Sequence, residues 1–155
     1  MELMYEQLKD KLSKENYLKW FPGHGAEEQW IAEVEEELGL SLPPSYRWWL
    51  KHYGNAQLHG AYILAVGSPE HREYDDSDML YIHRLNLAED WWVSQFPHRI
   101  DLFVPDGDEL YFFDTSIRDE QGEFPVMRYD LMNDMIDLYA PSFAAFLERL
   151  IDETN

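Results

Sequence analysis

Residues Leu42–Gly54, LPPSYRWWLKHYG, carry their own start and stop signals. Pro43 and Pro44 hold the backbone extended and then, with Pro44 or Ser45 in the first helical turn, open a short helix without wasting a backbone donor. Gly54 is placed to end it. Inside this helix Tyr46, Trp49, Leu50 and Tyr53 recur at i, i+3, i+4 and i+7, so they share one face and need a core to cover them. Trp48 lies about 100° around the helix from Trp49 and is free to point elsewhere. Any fold open to this chain must supply a large apolar surface for that aromatic stripe.

The flanking segments supply it. Residues Glu2 to about Asn16 read as a helix with Met4, Tyr5, Leu8 and Leu12 on one side. A second helix, from about Ala26 to Leu38, carries Trp30, Ile31, Val34 and Leu38 inward and Glu33, Glu35, Glu36 and Glu37 toward solvent, with Gly39 placed to stop it. After Gly60 the periodicity becomes that of strands. Ala61–Val66 is a short apolar run between glycines, and an acidic loop, Ser68–Asp78, follows. The stretch Met79–Phe96 reads as a helix through Ile82, Leu85, Trp92 and Phe96, although YIHRLNL also alternates; one of Trp91 and Trp92 falls outside the stripe. IDLFV and ELYFFDT form a hairpin turning at Asp106–Gly107. FPVMRYD is a further strand, whose Pro125 favours an edge or irregular position. Phe143, Phe146, Leu147, Leu150 and Ile151 make the stripe of a last helix started by Pro141 and Ser142. The order predicts an α+β fold, with N-terminal helices and a C-terminal helix packed on a mainly antiparallel sheet. With no internal repeat or Gly/Ser linker, residues 1–155 read as one domain.

Composition narrows the function. The chain has 12 basic and 31 acidic side chains, a net charge of −19 and a pI near 4.4, which repels phosphate backbones and anionic lipid alike. Neither direct nucleic-acid nor membrane contact is expected. Since 45% of residues are hydrophobic and 15% aromatic, the acidity belongs to a folded surface and not to disorder. Cysteine is absent, no apolar run approaches the roughly 20 residues of a membrane span, and MELMYEQLKD lacks a basic-then-apolar leader, so a cytoplasmic protein is expected. The six histidines show no zinc-ligand spacing, and neither a GxSxG nor a P-loop accompanies them. Asp106 and Asp108 lack the rest of a calcium loop. No catalytic role, metal or cofactor is expected.

In chain order, ELGLSLPPSYRWWLKHYGN, ELYFFDTS, GEFPVMRYD and YAPSFAAFLERLI resemble the SUKH superfamily, the proteins similar to fungal cell-wall-assembly regulators. The most specific element is LG-x-x-LP-x-x-Y-x-x-x-L-x-x-x-G, met by Leu38, Gly39, Leu42, Pro43, Tyr46, Leu50 and Gly54. The Asn-Gly pair common after the short helix is reversed here as Gly54–Asn55. The resemblance runs from about Ile31 to Ile151. It implies an α+β fold and, for most bacterial members, an immunity protein that binds and neutralises a toxin, many such toxins being nucleases.

The candidate binding residues follow from charge and from the spare tryptophan. Acidic side chains gather in the loops: Glu70, Glu73, Asp75, Asp76 and Asp78 after the first strand, Asp119, Glu120 and Glu123 in the connection before FPVMRYD, and Asp130, Asp134 and Asp137 before the last helix. The expected contact set is Trp48 as aromatic anchor with Glu73, Asp75, Asp76, Asp78, Asp119, Glu120 and Glu123 as an acidic face. Such a face mimics the charge of a nucleic acid and speeds capture of a basic partner, while an anchor such as Trp48 slows its release. The expected partner is a basic toxin, a nuclease domain above all, held by a monomer or weak homodimer through stoichiometric occlusion. An intracellular adaptor that binds host proteins without neutralising them is the alternative. A small-ligand pocket beside the proline pair has no polar constellation behind it.

Overall fold

A computed structural model describes residues 2–15, 18–20, 25–58, 61–75, 77–88, 97–102 and 109–154. The chain order is α1 (Glu2–Ser13), β1 (Leu18–Lys19), α2 (Glu28–Leu38), α3 (Pro44–His52), β2 (Gln57–Leu58), β3 (Ala61–Tyr62), a 3-10 helix (Pro69–Glu73), α4 (Met79–Leu87), β4 (Arg99–Asp101), β5 (Glu109–Asp114), β6 (Val126–Asp130), β7 (Met135–Ala140) and α5 (Phe143–Thr154). The architecture is α+β, with antiparallel pairing throughout two sheets, β1-β2-β3 and β4-β5-β6-β7.

The proline pair acts as its chemistry requires. Pro43 is extended (φ −58°, ψ 141°), and Pro44 occupies the first turn of α3. At the other end the Trp49 carbonyl accepts the N–H groups of Tyr53 (2.8 Å) and Gly54 (3.2 Å), with Gly54 left-handed at φ 60°. Gly39 ends α2 in the same way at φ 74°. Between the two helices, the Leu42 N–H donates to Glu35 Oε2 at 2.7 Å, so the loop that delivers the prolines is pinned to α2. That contact draws Glu35 inward from the solvated row in which its spacing places it.

Tyr46, Trp49 and Leu50 are fully buried, and Tyr53 nearly so. Their face meets the first turns of α5 and the inner face of the four-stranded sheet. Ring centroids lie 5.1 Å apart for Tyr46–Phe143, 5.3 Å for Tyr46–Phe113 and 4.8 Å for Tyr111–Tyr139, in the tilted and edge-on geometries that aromatic quadrupoles favour. The Tyr46 hydroxyl donates to the Leu64 carbonyl at 2.5 Å, which satisfies the polar atom that burial would otherwise strand. Burial pushes its pKa far up.

Three expectations change. The strand expected over Ala61–Val66 is confined to Ala61–Tyr62; Ile63–Val66 continues as buried backbone, with the Leu64 N–H on the Leu102 carbonyl at 2.9 Å and an isolated parallel bridge from Ala65 to Asp78. The helix of Met79–Phe96 spans Met79–Leu87; Trp91, Trp92 and Phe96, like the Asp106–Gly107 turn, lie outside the described residues. The third is β7, a strand where the approach to the last helix reads as loop. Pro125 stands immediately before β6, an interior strand, and a register shift at Val126/Met127 provides the irregularity that proline favours.

The period-two alternation of the strands gives the larger sheet two distinct faces. Tyr111, Phe113 and Tyr139 point toward α5. Leu110, Phe112, Met127 and Tyr129 form a separate apolar cluster on the opposite face. At the β4 end, α4 lies over that outer face, where Asn86 Nδ2 donates to Asp101 Oδ2 at 2.8 Å beside the buried Arg99–Asp101 pair.

Candidate interaction surface

Most of the cations are used internally. Arg47 pairs with Glu28 and Glu35, Arg72 with Glu33, Arg84 with Glu37 and Glu73, Arg99 with Asp101, Arg128 with Asp137, and Arg149 with Glu153. Arg118, the seventh arginine, donates to the Ser41 and Gly122 carbonyls. Lys51, Lys11 and Lys14 also face carboxylates. The Arg84 hydrogen bonds hold the Glu37 carboxyl below its usual pKa against the opposing effect of burial. With its arginines so engaged, the protein turns its surplus of negative charge outward.

The predicted acidic face divides on inspection. Glu73 is exposed, with Arg84 Nη1 3.9 Å away. Glu120 is exposed. Asp119 is exposed and accepts the N–H groups of Gln121 and Glu123, both at 2.9 Å, which shapes its turn and leaves its charge at the surface. Asp75 is half-buried. It takes the Ser77 N–H (2.9 Å), the Ser77 hydroxyl (2.7 Å) and His71 Nδ1 (2.9 Å). Burial opposes ionisation there, but these hydrogen bonds, Ser77's above all, hold the Asp75 carboxyl below its usual pKa. Asp76 lies outside the described residues.

Two members of the set are corrected. Asp78 is buried: it caps α4 by accepting the Tyr81 N–H at 3.0 Å and also takes the Gly67 N–H at 3.0 Å. Glu123 is buried as well. Its two oxygens accept the Ser45 N–H (2.9 Å) and hydroxyl (2.7 Å) at the start of α3. A carboxylate at a helix N-terminus meets unpaired N–H groups and the positive end of the dipole, which draws it in from solvent. Both residues therefore belong to the scaffold.

Trp48 is half-buried and joins elements together. Its ring stacks on Tyr5 of α1, with centroids 5.2 Å apart and planes 7° apart, and meets Tyr53 edge-on at 5.6 Å. Part of the ring remains accessible, yet much of its apolar area already packs against α1 and the core.

The structure adds two features. A hollow of 430 Å³ lies between the start of α2, the Ala65–Ser68 segment and the 3-10 helix, with Trp30, Gly67, His71, Asp75 and Asp78 in its wall. It lies away from the proline pair and combines one aromatic ring with carboxylates that already accept hydrogen bonds. Among the described residues no three His, Asp or Glu side chains converge as a metal site.

The second is β7, at the edge of the sheet. Met135, Ile136 and Leu138 are 64%, 39% and 56% exposed, and in the preceding turn Leu131 and Met132 are 44% and 75% exposed. Asp130, Asp134 and Asp137 are interleaved with them, and no cation lies between Asp130 and Leu138. Asp130 organises the turn by accepting the Met132 and Asn133 N–H groups, while Asp134 adopts φ 52°, a left-handed conformation that Asp tolerates. The density of large apolar residues in DLMNDMIDL was the available signal for this strip. It shows no alternation because both sides of β7 are wet.

An antiparallel meander backed by α3 and α5, with surplus charge directed outward and an apolar edge left open, defines a small α+β scaffold of the kind that offers surface to another protein. The family model SUKH_5, described as SMI1-KNR4 cell-wall, matches residues 1–152, and the chain belongs to this family. Membership is consistent with an immunity-type or regulatory module and suggests a protein partner such as a toxin. Among the described residues no helix is long and apolar enough to cross a membrane.

Proposed function

We propose that this chain is a cytoplasmic, single-domain immunity protein that binds a basic toxin, a nuclease domain above all, and neutralises it by stoichiometric occlusion. The observation that carries this reading is the outward surplus of charge: −19 overall, on a protein whose arginines are already engaged by its own carboxylates and carbonyls. Such a surface attracts a cationic domain over about a Debye length, roughly 8 Å at physiological salt, and raises encounter rates by roughly 10- to 1000-fold. Glu73, Asp119 and Glu120, exposed and directed to solvent, serve this steering. Half-buried Asp75 contributes field more than contact. Inhibition follows from covering the toxin's own anion-binding cleft, so the immunity protein turns over nothing. Family membership supports the immunity assignment, and it equally supports a regulatory adaptor.

The test is titration of a basic toxin domain encoded beside this chain. The expected result is loss of toxin activity with an endpoint at one equivalent, relieved by added salt. Absence of salt-sensitive binding would remove that partner. Housekeeping partners and a growth defect on deletion, without any toxin, would favour the adaptor.

A further inference from the structure

We propose that the open edge of β7, from Met135 to Leu138, is the docking site for an extended strand of the partner, one in which aliphatic residues alternate with Lys or Arg. The inference rests on the reading that this chain captures a basic protein, and it names the place and the chemistry of capture.

β7 stands last in the order β4-β5-β6-β7 and pairs with β6 on one side, Met135 opposite Asp130, Ile136 opposite Tyr129, Asp137 opposite Arg128 and Leu138 opposite Met127. Half the backbone groups of an edge strand point away from its neighbour, ready to pair with another chain. Most edges are blunted by proline, by inward charges or by covering segments. Here Met135, Ile136 and Leu138 are well exposed, a combination that soluble proteins seldom leave unused.

The two sides of β7 specify the occupant. Ile136 and Leu138 lie beside Tyr129 and Met127, so on the outer face they extend the apolar cluster of Leu110 and Phe112. A strand added at this edge would lay every second side chain along that row, where aliphatic residues are favoured. Its remaining side chains would fall on the side of Asp137 and Asp130, whereas Asp134 sits at the end of the outer row, where the Tyr129 hydroxyl donates to it. Arg128 answers Asp137 and, among the described residues, leaves Asp130 without a cation. The added strand therefore meets the apolar row on one side and, on the other, Asp137 and Asp130 with the single Arg128 between them, a net negative charge that an aliphatic–cationic alternation matches. β7 of a second copy does not match, because like charges opposed across a ladder are destabilising and each copy carries −19. The same carboxylates that guard the edge against self-pairing select a cationic strand.

The probe is a synthetic eight-residue peptide of alternating Val and Lys, with a Val–Glu peptide as control, titrated into the full chain at low salt and followed by backbone amide NMR and hydrogen exchange. The proposal expects shifts centred on Met135–Leu138, slowed exchange of the outward amides there, at least a tenfold loss of affinity in Leu138→Lys, and no binding of the Val–Glu peptide. Because Leu138 and Met135 are exposed, their lysine variants should fold normally, and amide dispersion will verify it. Shifts confined to other surfaces, an unchanged affinity in both Leu138→Lys and Met135→Lys, or dimerisation through β7 without peptide would each overturn it. A toxin domain that binds both variants as tightly as the parent would sink the edge proposal and leave the immunity reading standing. A peptide that docks on β7 while no basic protein is neutralised would do the reverse.

Discussion

Glu123 closes both carboxylate oxygens on Ser45, taking its N–H at 2.9 Å and its hydroxyl at 2.7 Å, and the same hydroxyl accepts the Ala144 N–H at 3.2 Å. Three remote segments thus meet at one buried acid: the start of α3, the connection before β6 and the first turn of α5. Charge-assisted hydrogen bonds of this kind contribute about 1.5–3 kcal/mol each. Glu123→Ala should therefore lower unfolding stability by about 3 kcal/mol in urea titration and leave the salt dependence of partner binding as it was. A stable variant with altered steering would return Glu123 to the acidic face.

Asp78 offers a second separation of scaffold from surface. Its loss as the α4 cap costs about 1–2 kcal/mol, and the Gly67 N–H is left unpaired besides. Asp78→Ala should lower the unfolding midpoint, whereas Glu120→Ala should leave it within about 0.5 kcal/mol of the parent.

Trp48→Ala removes the stack on Tyr5 and the edge contact with Tyr53. The expected cost is about 2–3 kcal/mol, from lost burial and aromatic contact together. Amides of α1 should exchange faster, since Trp48 joins that helix to α3. Unchanged exchange in α1, with a faster-dissociating partner, would show that Trp48 serves binding alone.

Acid should act through Asp75. Its folded-state pKa lies below the unfolded value, so the stabilisation is fully present above the ordinary aspartate range, near pH 4, and is lost as pH falls through the lowered value. Ser77→Ala removes the hydroxyl that donates to Asp75 and should therefore lower stability at pH 7, where that contribution is fully present, with the difference from the parent shrinking as pH falls below about 4. Unfolding midpoints across that range measure it.

Much of the scaffold was legible because its signals are local. Pro43–Pro44, the Tyr46–Trp49–Leu50 stripe and Gly54 specify the start, face and end of α3 within one stretch, and the Phe143–Ile151 stripe does the same for α5. What escaped depends on partners that leave no local mark. Glu123 and Ser45 lie 78 positions apart, so the same carboxylate pattern reads as a solvated loop until the fold closes. For β7 the hydrophobic alternation that betrays a strand is missing, because Met135, Ile136 and Leu138 face solvent on both sides of an edge. The apolar strip on which the docking proposal rests was therefore hidden among residues that read as an acidic loop before the last helix.

The most direct measurement of the central claim is stopped-flow association of this chain with the basic toxin domain across ionic strength, paired with an activity titration. The account predicts an association rate that falls steeply between low and physiological salt, with dissociation far less affected, and full inhibition at one equivalent. A rate indifferent to salt, or inhibition completed by substoichiometric amounts of this protein, would contradict it.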